Sequence, residues 1–252
     1  MNRHRLYELA VQSPEADVAF FERVWDGPRA PLTLREDFAG TALVAAAWVE
    51  SDDDREATAV EIDPAVLREA ERRRRALDED EATRLRLVRG DARALSGACF
   101  DLIAALNFSW ALFDDDALAE YLAHARACLE DDGLLILERF GGPAFAEPRR
   151  DAHRHDGFTY VWEQRGASGG WLDARIHFEL DGGRVLRDAF RYRFKLRSFE
   201  EERRLLHEAG FDRIRYFAED RLGRIAARAR EPRARLHRGA WVAGGASSRR
   251  TG

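Results

Sequence analysis

The chain is short of several residue types and patterns, and each scarcity narrows what it can be. Among 252 residues there is no run of 18 or more apolar side chains, so no segment qualifies as a membrane-spanning helix. The opening MNRHRLYELA has no apolar stretch ahead of a small-residue cleavage site, and a soluble, cytoplasmic protein is expected. Only two cysteines occur, Cys99 and Cys128, far apart and outside any CxxC pair. A disulfide or zinc framework therefore has no support, and both are expected to be core thiols. His153-Arg154-His155 alone is too little for a metal site, and no metal is expected. The dinucleotide signature GxGxxG is absent as well, which argues against an NAD enzyme.

Lysine is almost missing. Lys195 is the only one, so arginine carries the basic charge throughout and arginine-rich stretches weigh less as phosphate signals. A net charge of -5 argues against a surface that tracks phosphates as a whole. The run Arg72 to Arg75 is bracketed by Glu69, Glu71, Asp78, Glu79, Asp80 and Glu81, the pattern of a solvated helix face. Residues 221–250 hold nine arginines and one acid, Glu231, and are the better candidate for an anionic partner.

What is present is an α/β rhythm. Apolar residues at helical spacing (Leu6, Leu9, Ala10; Val18, Phe21, Val24, Trp25), broken by Ser13-Pro14-Glu15, predict two N-terminal helices. Strands are expected at 31–36, 57–62, 85–88, 101–106 and 134–138, with helices at 40–50, from Asp63-Pro64 to about Leu77, and at 117–129. Cys128 falls within the last of these. Such alternation predicts a doubly wound, mostly parallel sheet. Beyond Gly141-Gly142-Pro143, segments 158–163, 171–180 and 185–196 alternate apolar with polar residues between glycine turns, predicting an antiparallel meander inserted in the main sheet. The capping box Ser198-Phe199-Glu200-Glu201 starts a helix to Ala209, Gly210 stops it, and strands at 211–217 and 240–243 complete the sheet. A single domain is expected, with a helical cap (1–30), a core (31–140), a lid insertion (141–197) and a C-terminal completion (198–252).

In an open parallel sheet the ligand lies beyond the carboxyl ends of the strands. Those ends are polar and acidic: Glu36-Asp37, Glu61, Gly90-Asp91-Ala92 and Asn107-Phe108-Ser109-Trp110. Three acids at successive strand ends suit a ligand offering a positive charge, a ribose diol and an exocyclic amine, and suit a diphosphate badly. This ordered set resembles the class I S-adenosylmethionine-dependent methyltransferases over about residues 30 to 217, and the string LREDFAGT with ALNFSW and FTYVWEQ is similar to a bacterial branch of them.

The resemblance implies a Rossmann-like seven-stranded sheet with its last strand antiparallel, and S-adenosylmethionine as cofactor. It implies that Glu36, Phe38, Ala39, Gly40 and Thr41 form the loop around the methionine part. Glu61 and Ile62 then lie at the ribose, Gly90, Asp91 and Ala92 at the adenine, and Leu106 and Asn107 beside them. Phe38 and Ala42 stand where the family carries glycine. A cofactor without phosphate explains the tolerance, because Gly40 alone can supply the close approach.

Methyl transfer is an in-line displacement, for which alignment and exclusion of water matter most. Asn107 and Trp110 are the candidate catalytic residues, Trp110 as a wall of the acceptor pocket. They occupy the place of an Asn/Asp-Pro-Pro-aromatic motif in enzymes that methylate amines of nucleic acids and proteins, but both prolines are missing. A small-molecule acceptor with a nitrogen or oxygen nucleophile is therefore expected and a nucleic acid is not. Methylation of a base or protein amide is the alternative, and a non-catalytic S-adenosylmethionine-binding protein the alternative of another class. The meander aromatics Phe158, Tyr160, Trp162, Trp171, Phe178, Phe190, Tyr192 and Phe194 either form a lid over the acceptor or simply pack on the sheet. The segment Arg149 to His155, read as a loop, either recognises a carboxylate, supplies a base or is solvated. Tyr7, Gln12, Arg139, His153, Tyr160 and Trp162 are the candidate acceptor residues, Tyr7 and Gln12 by resemblance to residues at the cofactor mouth. Monomer and homodimer remain open.

Overall fold

The computed structural model describes residues 2–94, 97–219, 225–228 and 237–245. Its helices are α1 (Arg3–Val11), α2 (Pro14–Val24), α3 (Leu43–Glu50), α4 (Pro64–Arg74), α5 (Glu79–Arg84), α6 (Asp115–Ala127) and α7 (Phe199–Glu208). The strands are β1 (Thr33–Asp37), β2 (Glu56–Glu61), β3 (Leu85–Arg89), β4 (Phe100–Ala105), β5 (Leu129–Gly141), β6 (Arg149–His155), β7 (Phe158–Ser168), β8 (Trp171–Leu180), β9 (Val185–Lys195), β10 (Arg213–Glu219), β11 (Ile225–Arg228) and β12 (His237–Gly244). None of the described helices is long and apolar enough to cross a membrane.

The main sheet has the order β11-β10-β12-β5-β4-β1-β2-β3. Strands β1 to β5 are mutually parallel. Strand β12 runs against both β5 and β10, as the expected reversed last strand. The central strand β4 reads Phe-Asp-Leu-Ile-Ala-Ala and is buried at every position, which a parallel strand covered on both faces requires. One face carries α2 and α3 over Leu34, Ala59, Leu102, Ala104 and Ile136. The other carries α6 and α7 over Ile103, Ala105, Leu135 and Leu137. Successive residues of each strand thus point to opposite layers.

Local signals hold where they were strong. Asp63 caps α4 by accepting from the Ala65 N–H at 2.7 Å, with Pro64 in the first helical position. The Ser198/Glu201 capping box is present in both directions, and Gly210 leaves α7 with φ +87°. The acid-bracketed run 72–75 is mostly a solvated face, with Arg72, Arg74 and Arg75 paired to Glu69 and Glu71 on the same helix.

Four expectations are corrected. The capping box Asp78/Glu81 starts a further helix, α5, after Leu77. The segment 149–155 is not a loop but the edge strand β6, so the second sheet has four strands in the order β6-β7-β8-β9. Its charged and histidine side chains stand on both faces, so it lacks the apolar alternation that marks a strand in sequence. An eighth strand, β11, lies within the arginine-rich stretch, and most of 221–250 lies outside the described residues. Cys99 is exposed, because it precedes the point where the chain enters β4, whereas Cys128 is buried as expected.

Candidate active site

The turn after β1 has a backbone that its sequence conceals. Phe38, Gly40 and Ala42 all take positive φ, at 55°, 58° and 55°, so the two residues that replace glycine keep glycine's left-handed geometry. Phe38 is accommodated by turning its ring toward α6, against Phe113 and Tyr121 at 5.5 and 5.8 Å between centroids. A Cβ added at Gly40 would meet nothing within 4 Å, so the loop leaves open space on that side. Glu61, at the end of β2, reaches across. Its Oε2 accepts from the Gly40 N–H at 2.9 Å and its Oε1 from the Asp63 N–H at 2.8 Å. Each oxygen thus keeps a lone pair for a further donor. Ile62 beside it is 65% exposed, an isolated apolar side chain at the rim.

Asp91, at the end of β3, is held by Arg93 at 2.7 Å, and this guanidinium keeps the carboxyl below the usual carboxylate range. Ala92 is buried and its carbonyl accepts from Arg35 at 2.8 Å. Arg35 in turn pairs with Asp37 through two hydrogen bonds of 2.7 and 2.8 Å, and the Tyr121 hydroxyl donates to Asp37 at 2.9 Å. Glu36 points to the opposite layer, where its carboxylate accepts from the Ala45 N–H at the start of α3. Burial pushes the Glu36 carboxyl up to about 8. Thr41 is turned to Glu8 of α1, donating at 2.5 Å, and Arg73 binds both Glu8 and the Thr41 carbonyl. Helix α1 is thereby fastened to the turn.

Two cavities adjoin this strand-end row. The larger, about 500 Å³, lies between the ends of β4 and β5, helix α1 and the second sheet. One face of that sheet is aromatic. Phe158, Ile176 and Phe178 pack under Leu6 of α1, while Tyr160, Trp162, Tyr192 and Phe194 line the cavity. One end of this face thus packs on α1 and the other lines the cavity. Tyr7 enters from α1 beside Tyr192, and burial raises both hydroxyls. On β6, alternate residues Arg149, Asp151, His153 and His155 line the cavity, while Arg150 and Arg154 face outward to Glu179 and Asp181.

The smaller cavity, about 320 Å³, lies between α2 and the ends of β4, β5 and β12. Gln12 lines it, with Leu106, Asn107, Asp17 and Glu138. Burial, and then the Glu138 carboxylate, raise Asp17 to about 7. A carboxyl so placed is readily ionised by an incoming positive charge. Asn107 borders both cavities, and Asn107 and Phe108 follow one another at φ 52° and 54°, a strained turn of the kind that accumulates at functional sites.

Trp110 and Arg139, like Glu36 and Thr41, face elsewhere. Trp110 is 3% exposed, its Nε1 donates to the Glu138 carbonyl at 2.7 Å, and its ring belongs to the α6 layer, leaving Phe108 as the aromatic wall. The short 3-10 turn Ser109–Leu112 carries it away from the strand end. Arg139 follows Glu138 on β5 and so points to the opposite layer, where it is buried, paired with Glu202 and set over the Phe199 ring. Conversely, Asp17, Glu138, Arg238 and Glu8 were not singled out from sequence. Glu138 was visible as the acid ending the fifth strand, in the same row as Glu36, Glu61 and Asp91. The other three lie on helices or on a strand whose approach depends on tertiary packing. Among the described residues no group of three His, Cys, Asp or Glu side chains is placed to hold a metal ion.

Residues 39–135 match a family model described as a methyltransferase domain. No curated protein matches the sequence. Among solved structures, the chain is similar to a S-adenosylmethionine-dependent methyltransferase from Clostridium acetobutylicum, at a TM-score of 0.74 and 16% identity over 96% of this chain and 97% of that one. It is similar also to an amino pentose methyltransferase from Micromonospora echinaspora, solved with S-adenosylmethionine bound, at 0.70 and 20% over 95% and 94%. A sugar N-methyltransferase from Streptoalloteichus gives 0.68 and 22% over 96% and 91%. From the turn after β1 into the middle of β5 the chain matches the methyltransferase-domain model, and as a whole it has the fold of the solved S-adenosylmethionine-dependent methyltransferases it resembles.

Proposed function

We propose that the protein transfers a methyl group from S-adenosylmethionine to an amine of a small molecule held in the aromatic cavity. The observation that carries this reading is the junction of an acid-ended strand row, suited to a cationic nucleoside, with an aromatic-walled cavity at Asn107. The residues present fit the cofactor. Glu61 keeps one lone pair on each oxygen for a ribose diol, and the open side of Gly40 admits close approach. Asp91 and the loop at Ala92 would hold the adenine, and the smaller cavity, with the Asp17 and Glu138 carboxylates, the positively charged methionine end. When bound, the cofactor supplies an electrophilic methyl on a sulfonium.

The chain's own contribution is alignment and exclusion of water. Phe108, Tyr160, Trp162, Tyr192 and Phe194 give a flat, apolar enclosure, and the hydroxyls of Tyr7 and Tyr192 offer hydrogen bonds at its rim. Such walls suit a ring that carries both apolar and hydroxylated faces. The amino-sugar methyltransferases of similar fold support an amine as the nucleophile. His153, on β6 at the cavity's edge, is placed to take the proton that an ammonium acceptor must lose. The second sheet, 141–197, serves as the lid of the acceptor site, and helices α1 and α2 as its cap.

Glu61→Ala should weaken S-adenosylmethionine binding by about 1.5 to 3 kcal/mol, the range for hydrogen bonds to a charged group, with a thermal midpoint close to that of the wild type. Titration calorimetry checks this. Unchanged affinity, or tight binding of NAD, would overturn the cofactor assignment, and absence of S-adenosylhomocysteine release with a panel of amino sugars and other cyclic amines would overturn the acceptor class.

A further inference from the structure

The two cavities share only a few residues, among them Val11, Asn107 and Arg238. In an in-line displacement the methyl must pass where cofactor and acceptor spaces meet, so this shared wall borders the sulfonium. A guanidinium stands in it. Left uncompensated, Arg238 would repel a cation held alongside: unit charges about 10 Å apart in a medium of effective permittivity ~20 alter a binding constant by about tenfold or more. Glu138 is a compensating partner. Its Oε1 accepts from the Arg238 Nε at 2.6 Å, and its Oε2 accepts from the Asn107 N–H at 2.6 Å. The carboxylate is 7% exposed and shares a strand face with Ile136, which also lines the smaller cavity. One buried group thus neutralises the cation in the wall and fixes the left-handed turn that divides the cavities.

We propose that Glu138 is a positioning and charge-selecting residue, which masks Arg238 so that the site accepts the cationic sulfonium as readily as the neutral thioether left after transfer. The proposal rests on the reading of S-adenosylmethionine as cofactor. Affinities for S-adenosylmethionine and S-adenosylhomocysteine, which differ by the methyl and its positive charge, are to be measured by calorimetry for the wild type and for Glu138→Gln. The glutamine keeps a carbonyl oxygen for the Asn107 N–H, removes the charge and turns an NH2 donor in place of the acceptor toward Arg238. S-adenosylmethionine should weaken about tenfold relative to S-adenosylhomocysteine. Adding Arg238→Gln to that variant should restore the wild-type ratio. Arg238→Gln alone, which leaves the carboxylate bare, should shift the ratio the other way and serves if Glu138→Gln does not fold. Equal weakening of both ligands, or an unchanged ratio in every variant, would overturn the proposal. A wild type that binds neither ligand would instead overturn the cofactor reading on which it stands.

Discussion

Asp37→Ala is expected to lower the unfolding free energy by about 3 to 5 kcal/mol, the cost of leaving one member of a buried ion pair without its partner. Arg35 and Asp37 are 0% and 1% exposed and meet through two hydrogen bonds on the α6 side of β1. Removing the carboxylate strands the guanidinium and also the Tyr121 hydroxyl, which has Asp37 as its acceptor. The pair was not cheap to begin with, since the Arg35 Nη1 is buried and finds no partner. Replacing both residues by apolar ones of similar size, as in Arg35→Met with Asp37→Leu, should therefore recover much of the loss. Urea unfolding of the three forms, at constant m, checks the ordering. A single variant within 1 kcal/mol of the wild type would mean that the pair is solvated in solution. Because Arg35 also holds the Ala92 carbonyl, the double variant should be more stable than Asp37→Ala yet bind adenosine ligands less well than the wild type, separating the pair's two roles.

The same pair shows where sequence reasoning reaches its limit. Glu36 and Asp37 are adjacent acids at a strand end, and alternation along β1 sends them to opposite layers, Glu36 to α3 and Asp37 to α6. Their order along the chain was legible; which one faces the cleft was not. Repeating local signals were legible too: the Asp63-Pro64 and Ser198 caps, the parallel core strands, the glycine turns of the meander. What failed was whatever lacked a period of its own. Strand β6 carries charges on both faces, β11 is four residues of Ile-Ala-Ala-Arg, and both are strands only because a neighbour pairs with them. At the candidate site, the residues ending the first four strands were singled out by position, whereas Glu138, at the end of the strand expected over 134–138, was compared for fold and not for charge. Asp17 and Glu8 reach the site through the docking of α2 and α1, which no spacing within either helix announces.

Trp110→Ala is expected to destabilise the protein by about 3 to 5 kcal/mol, the range for truncating a buried tryptophan, and to do so without acting chiefly on the acceptor. From sequence the ring is a wall of the acceptor pocket. In the fold, the left-handed pair Asn107-Phe108 and the following 3-10 turn reverse the chain, so that Phe108 faces the larger cavity and Trp110 drops into the layer of Ile103, Leu118, Leu122 and Leu137. Its Nε1–H donates to the carbonyl of Glu138, the residue that fixes Asn107. Loss of the ring removes packing and one hydrogen bond to that carbonyl, two costs that add in the folded state. Phe108→Ala removes a ring stacked on Phe140 at the cavity wall, 5.4 Å between centroids, and should cost less than about 2 kcal/mol because that ring is only partly buried. Its larger effect should be a raised KM for the acceptor, since a missing wall takes away binding shared by the ground and transition states. Denaturant unfolding of both variants decides between the two readings of this turn. If Trp110→Ala unfolded within 1 kcal/mol of the wild type while raising the acceptor KM, the tryptophan would belong to the cavity and the αL pair would not reverse the chain as described.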